Sequence, residues 1–558
     1  MSRNHGRVVR LGLAMTVAGL AGAPMSSNGL AHASGPPALG STLAGRPVVV
    51  DKGGELLSWV EPQDQAYATV ARLAWERLLT GFPVESNGLP TWLAYCCFDG
   101  ETLRGTAWPH NPASTYAGLV QGAATWRAFS GDERVIAFVR RILDHQLANG
   151  STPADPDWAW PSVPYASADH GAVRYRGAHD FLYAEKDDPR PRLGRGDGRG
   201  VVEPDKVGEM GVAYLTAWKL TTDERYRDAA LACARALAAR VRAGDAQRSP
   251  WPFRVVAETG VVREEYGANL ANTLLLLDEL DRLGLGDGAE WRRARGIAWA
   301  WLEAHAFRNG GWANYFEDLF WLPQPTNLNQ YNPGEMARYL LENPGRDPAW
   351  RDHSRNLLEW IERTFGGDTE KEPGLQWGAV TVSEQVEYQY KMGSHTARFA
   401  SALALWSERT GDVEARAKAF RSFNWASYMC DRRGVVQVGP VETSHWFSDG
   451  YGDYIRHFMA GMGAVPEWAP AGQDHLLRSS SVVTDVAYAP GTVRYRTFDA
   501  QGEEVLRLSF APASVTTDAQ PLAREGAGDR AEWTFDPKTG VLRVRRTAGR
   551  DVVVRNRR

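Results

Sequence analysis

Glu203-Pro204-Asp205-Lys206-Val207-Gly208-Glu209 opens a stretch that reads as one helical hairpin through Arg242. An apolar-periodic helix follows from Met210 to Leu220, then the turn Thr222-Asp223-Glu224-Arg225, then a second helix to Val241. Asp223 suits the start of the second helix, because a short side-chain oxygen there accepts a backbone N–H that the helix itself leaves unpaired.

The same punctuation recurs. Ser130-Gly131-Asp132, Gly286-Asp287-Gly288, Gly345-Arg346-Asp347 and Thr410-Gly411-Asp412 each place a helix end near Gly and a helix start near Asp. Regular punctuation implies an array, here of about twelve helices. They are expected near 66–80, 115–130, 133–148, 206–221, 224–242, 266–283, 288–306, 333–342, 348–365, 392–409, 412–429 and 449–461. Six hairpins of this size predict a closed ring, so the fold class is mainly α: an (α/α)6 toroid over 66–470.

The two members of a hairpin differ. First helices carry small residues on one face, as in Gly118, Gly122 and Ala123, Gly208 and Gly211, or Gly450 and Gly452. Second helices carry Arg and Glu, as in Arg292-Arg293-Ala294-Arg295. Small residues let backbones approach closely, which an inner ring requires, and charge suits a solvated outer ring. The segment 66–80 reads as an outer helix whose inner partner lies near 449–461, which closes the circle. Inner-to-outer turns are short, whereas outer-to-inner connections reach roughly fifty residues between Asn149 and Val202. Those long loops end on one face of the ring, where function is expected.

The chain has 558 residues, net charge −4 and 43% hydrophobic residues, enough for a large core and more than one domain. No basic stretch offers a phosphate-binding surface, so a nucleic-acid partner is not expected. Arg3, Arg7 and Arg10 precede an apolar run from Leu11 to Ala23 and then Ala31-His32-Ala33. That pattern predicts a signal peptide over 1–33, export to the periplasm or medium, and no membrane association after cleavage. Residues 34–65 form a lead-in. Beyond Gly472 the apolar period changes to two, as in Val493-Arg494-Tyr495-Arg496 and Val541-Leu542-Arg543-Val544, predicting a small antiparallel β-sandwich over 478–558. Cys96-Cys97 reads as half a metal site or a vicinal disulfide, and Cys233 and Cys430 as buried thiols.

Six polar, aromatic-rich clusters open the inner helices. Glu209, Glu264, Glu265, Asp449 and Asp453 form a pool of carboxylates that can divide into acid and base, as glycosidic hydrolysis requires. Tyr266, Tyr390 and His395 are candidate bases for proton abstraction beside a uronate carboxyl. Substrate contacts are expected from the flat faces of Trp108, Trp160, Trp312 and Trp446, from His110, Asp180, Asn314 and Tyr388, and from the cations Arg263 and Lys391. Ordered metal-ligand spacing, phosphate-cradling loops and nucleophile elbows are absent from the sequence, so no cofactor is expected and the partner is a carbohydrate substrate.

A ring of helical hairpins with Trp-rich loops and a trailing β-domain resembles the six-hairpin (α/α)6 carbohydrate-active enzymes. These include inverting glycoside hydrolases, unsaturated glucuronyl hydrolases and toroidal polysaccharide lyases. Locally, Glu264-Glu265-Tyr266, with Asn269 and Leu274-Leu275-Leu276-Leu277 after it, is similar to the Glu-Glu-Tyr segment of the D-glucuronyl C5-epimerase C-terminal domain. That likeness implies that Glu265 and Tyr266 match a catalytic-site Glu and Tyr. Three readings stay open at this point: a glycoside hydrolase, a lyase or C5-epimerase acting on uronate glycans, and a glycan-binding toroid without catalysis.

Overall fold

Small residues decide how the helices pack. The computed structural model describes residues 41–106, 110–177, 181–183, 192–194, 200–314, 328–369, 372, 374–386, 390–441, 445–524 and 532–557, with backbone alone for 181–183, 192–194 and 445–449. The segment read as an export signal lies outside the described residues. Among those residues no helix is long and apolar enough to cross a membrane.

The long helices come in chain order as α1 (Ala66–Thr80), α2 (Pro112–Ser130), α3 (Arg134–Asn149), α4 (Pro204–Thr221), α5 (Glu224–Arg240) and α6 (Ala271–Arg282). They continue as α7 (Gly288–Trp301), α8 (Tyr331–Glu342), α9 (Trp350–Phe365), α10 (Gly393–Thr410), α11 (Val413–Ser427) and α12 (Ser448–Ala464). The even-numbered helices pack in the cycle α2, α4, α6, α8, α10, α12 and back to α2. Each odd-numbered helix lies outside an even one, with α1 against α12. The molecule is therefore an (α/α)6 toroid, including the offset first hairpin.

Close approach at the closing seam explains the glycine stripe. A Cβ on Gly452 would stand 2.5 Å from the carbonyl carbon of Gly118, and one on Gly122 would stand 2.8 Å from the Gly452 oxygen. Both are shorter than side chains tolerate, so α2 and α12 meet backbone to backbone. The turns follow the caps read from sequence: the Asp223 carboxylate accepts from the Arg225 N–H at 3.1 Å, and that of Asp287 from Ala289 at 3.0 Å. Gly131 ends α2 with φ 73°, a left-handed conformation that glycine adopts freely.

The boundary difference that bears on the site is at α6, expected from 266 and observed from Ala271. The preceding residues are extended, with Arg254–Val256 paired to Val262–Glu264 and to Val201–Val202. The lead-in clasps the end of α11, where Asn424 donates to the Leu56 carbonyl and Trp59 to that of Ser427, both at 2.8 Å.

After α12 the chain forms two five-stranded sheets. One contains His475–Ser479, Gly502–Arg507 and Val541–Arg546, and the other Val483–Ala489, Thr492–Thr497 and Asp551–Asn556. Leu506, Leu542 and Val544 from the first pack with Val493, Val552 and Val554 from the second in one apolar layer, which makes the region a β-sandwich. It docks at the carboxyl-terminal ends of the inner helices: His475 stacks on Phe129 with ring centroids 3.9 Å apart, and Arg282 of α6 meets Asp499 at 3.0 Å. The opposite end of the ring is left for the site.

Candidate active site

All six inner helices bring side chains to one cavity at their amino-terminal ends, a space of about 1220 Å³ including its open mouth. Ser114 and Gln121 come from α2, Lys206 and Glu209 from α4, Asn272 from α6, Tyr331 from α8, His395 and Arg398 from α10, and Asp453 and Arg456 from α12. Connections add Asn111, Phe253, Asn269, Asn314, Glu384 and Gln385. Helices running in one direction from one rim place their first turns around a common centre, which is why residues so distant in sequence meet.

Two charged groups organise the wall. In the first, Asn269 Nδ2 donates to Glu209 Oε1 at 2.8 Å and to Asp205 Oδ2 at 3.1 Å, so one amide joins two carboxylates of α4. Lys206 Nζ lies 3.4 Å from the same Glu209 oxygen and 3.7 Å from Asp205, and the Tyr331 hydroxyl donates to Glu209 across 3.2 Å. Burial raises the Asp205 pKa, Lys206 opposes that rise, and Glu209 adds to it. Burial also works against the Lys206 charge, but Glu209 and Asp205 outweigh it and raise the amine well above its ordinary value.

In the second group, Arg398 pairs with Asp453, lies over the Tyr331 ring at 4.4 Å, and reaches Glu335 at 3.4 Å. Arg456 meets the other Glu335 oxygen at 3.1 Å. Burial pushes the Glu335 carboxyl up, but Arg456, Arg338 and Arg398 together hold it below its usual value. His395 sits beside Arg398, and burial followed by that positive charge holds its pKa well below 6.5, so the ring is neutral at pH 7.

Of the residues expected from sequence, Glu209, His395, Asp453 and Asn314 line this cavity. Others lie elsewhere. Glu265 pairs with Arg242 on the surface, and Arg263 is exposed beside it. Glu264 ends the strand Val262–Glu264, away from the cavity lining. The Tyr266 hydroxyl donates to the Gly311 carbonyl at 2.7 Å, and its ring packs on Trp301. Because α6 starts only at Ala271, Asn269 and not the Glu-Glu-Tyr segment reaches the centre.

Trp160 and Trp312 belong to the core: Arg240 lies over the first at 5.2 Å, and Phe307 packs edge-on to the second. They therefore offer no face to a sugar, and among the described residues the cavity aromatics are Phe253 and Tyr331. His110 is buried against Tyr116, and Lys391 is buried with its amine on the Phe365 carbonyl. Tyr390 is half-buried and outside the cavity lining. Trp108, Asp180 and Tyr388 lie outside the described residues, as do the side chains of Asp449 and Trp446.

Lys206, Asn269, Tyr331, Arg398 and Arg456 join Glu209, His395, Asp453 and Asn314 in the wall. Lys206 and Arg456 were legible from spacing, each three positions from a carboxylate on the same helix face. All four cysteines are buried, with Cys96 at the cavity wall. Among the described residues no group of three His, Cys, Asp or Glu is placed to hold a metal ion.

No family model matches the chain, and no curated protein does. Solved structures share the helical ring. An unsaturated glucuronyl hydrolase specific for heparin is 12% identical, covering 72% of this chain and 96% of its own, with a TM-score of 0.45. Cellobiose 2-epimerase from Bacillus thermoamylovorans is 12% identical over 70% of this chain and 98% of its own, with a TM-score of 0.46. A family 76 glycoside hydrolase from a bovine Bacteroides thetaiotaomicron strain is 11% identical over 72% and 78%, with a TM-score of 0.45. At these values the likeness says nothing of activity. The local likeness to the D-glucuronyl C5-epimerase gains no support, since its residues stand away from the cavity.

Proposed function

We propose that the protein is a carbohydrate-active enzyme that hydrolyses a glycosidic bond, with Glu209 and Asp453 as its working carboxylates. The observation that carries this reading is the cavity itself, where carboxylates in two different electrostatic settings stand among amides from separate helices. Asn111, Gln121, Asn269, Asn272, Asn314 and Gln385 can each donate and accept, which matches the hydroxyl groups of a sugar and suits few other ligands.

The two settings support a division of labour. Glu209 and Asp205 face each other across one amide and one amine, and burial, with the neighbouring Glu209, raises the Asp205 pKa. Glu209, which lines the cavity beside this buried carboxyl, is assigned the role of the acid that protonates the leaving oxygen. Asp453, paired with Arg398, serves as the carboxylate base or nucleophile. We further propose export after removal of residues 1–33, with 66–470 as the catalytic ring and 478–558 as a supporting sandwich.

A second reading, elimination or epimerisation of a uronate glycan, draws on the neutral His395 beside Arg398 and Arg456. It no longer draws on Tyr266, which is committed to the Gly311 carbonyl.

The test is incubation with neutral and acidic polysaccharides, following reducing ends and absorbance near the unsaturated-uronate band. Hydrolysis gives reducing ends without absorbance, and Glu209→Gln and Asp453→Asn each lower the rate by about 10²–10⁴. A rise in absorbance would move the assignment to elimination. Glycan binding with no turnover would leave a binding toroid.

A further inference from the structure

The ring contains a second, fully buried constellation beneath Asp453 that the proposed reaction does not yet use. His457, on α12 one turn beyond Asp453, is completely buried. Its Nδ1 lies 3.0 Å from Ser401 Oγ and 3.2 Å from a guanidinium nitrogen of Arg338, and its Nε2 lies 3.6 Å from Asp453 Oδ1. Ser401 is also wholly buried and donates to the Arg398 carbonyl, so this serine, histidine and aspartate together present no nucleophile to the cavity.

The hydrogen bonds assign the tautomer. A guanidinium has five donors and no acceptor, so Arg338 at 3.2 Å requires a lone pair on Nδ1. The proton of the neutral ring is then on Nε2. Among the described residues that atom has no hydrogen-bond partner, and it lies 3.6 Å from the Asp453 carboxylate. Across 3.6 Å the contact is an N–H dipole directed at a charge and not a full hydrogen bond, but in a dry interior such a dipole still favours the ionised acid.

On the reading of Asp453 as the catalytic carboxylate, we infer that His457 is its positioning residue, held by Arg338 in the Nε2–H form so that one carboxylate oxygen faces the imidazole while the other pairs with Arg398. The groups around this pair are Arg338 and Glu335 from α8, His395 and Arg398 from α10, and Arg456 from α12 itself. From α2 the cavity receives the uncharged Ser114 and Gln121. Three guanidinium groups and burial oppose protonation of His457, so the ring stays neutral across the working range and its N–H does not titrate away.

Two substitutions separate positioning from packing. His457→Asn keeps an acceptor toward Arg338 but removes the donor to Asp453. His457→Gln is long enough to keep a donor there. With a glycan that the wild type hydrolyses, His457→Asn is expected to lose up to about ten-fold in kcat, less than for the loss of a full hydrogen bond to a charged group, with KM little changed. The acid limb of its kcat/KM profile should move to higher pH, because the carboxylate loses a stabilising dipole. His457→Gln should recover most of both.

An Asp453→Asn protein as active as the wild type would remove the catalytic reading of Asp453. An inactive Asp453→Asn protein alongside His457→Asn with unchanged kcat and pH limb would overturn the inference about His457 alone. Nitrogen-15 NMR of histidine-labelled wild type needs no folded His457→Asn protein. The resonance absent from His457→Gln should show a neutral Nε2–H ring, and an Nδ1–H or doubly protonated ring would overturn the inference.

Discussion

Asn269 holds Glu209 in place, its amide nitrogen 2.8 Å from the carboxylate oxygen while the same group reaches Asp205 at 3.1 Å. Only a neutral double donor can stand there without adding a third negative charge. Asn269→Asp adds one, and like charges raise the folded-state pKa values of the cluster. Acids raised in this way stabilise the fold below their unfolded pKa and lose that contribution as pH rises through the folded value. Chemical denaturation should therefore show Asn269→Asp close to wild type near pH 4 and weaker by about 2 kcal/mol or more at pH 7. A deficit independent of pH would show that charge repulsion is not the cause.

The backbone contact at Gly452 closes the ring. A methyl group there would press on the Gly118 carbonyl carbon at 2.5 Å and the Leu119 nitrogen at 2.6 Å, neither of which can rotate away. Gly452→Ala is expected to destabilise the protein by about 1–3 kcal/mol or more, the range for overpacking. Gly118→Ala is the matched control, since its added carbon meets nothing within 4 Å and gains about 0.5–1 kcal/mol of helix propensity. Equal effects in calorimetry would refute the close seam.

The ring was legible because its signals are local and repeated. Gly131, Asp223, Asp287 and Asp412 mark helix ends through their own backbone and side-chain chemistry, and Gly118, Gly122 and Gly452 mark the tight seam. The site was legible as a set of clusters, but not residue by residue. Glu265 and Asn269 lie four positions apart in one polar segment, and only the non-helical backbone before Ala271 decides that Asn269 turns inward. Trp160 and Trp312 were read as sugar platforms because aromatic loops serve both binding and packing. Their burial is set by tertiary packing, against the distant Arg240 for Trp160 and against Phe307 for Trp312.

Glu372 gives a measurable pH dependence. Its carboxylate accepts from the Lys391 N–H at 2.9 Å, just before Met392 at the cavity wall, and burial raises its pKa from 4.5 to about 7 against the pull of Lys391. Because the folded state binds this proton more tightly, stability from this group is complete below about pH 4.5 and lost as pH rises toward 7, at most about 3 kcal/mol. Lys391, lowered to about 8 by burial, acts in the opposite direction and only above that pH. Between pH 5 and 7 the stability of Glu372→Gln should fall less steeply than that of wild type. Parallel curves would remove Glu372 as the source.

The sandwich rests on one buried charge pair. Arg546 grips Glu504 through two bonds, 2.9 and 2.7 Å long, with neither side chain exposed, and the Tyr495 hydroxyl donates to the same carboxylate at 3.2 Å. Glu504→Gln leaves a guanidinium charge buried without its counter-ion, at about 3–5 kcal/mol. Replacing the pair by Leu and Met removes both charges and should restore most of that loss, since two apolar groups fill the space without a desolvation penalty. The His475 stack on Phe129 and the Arg282 pair with Asp499 join the sandwich to the ring, so the Glu504→Gln defect should lower a single unfolding transition seen by both tryptophan fluorescence and helical circular dichroism. An early sandwich transition with the helical signal unchanged would show that the two regions unfold separately, and would confine the role of the pair to residues 475–556.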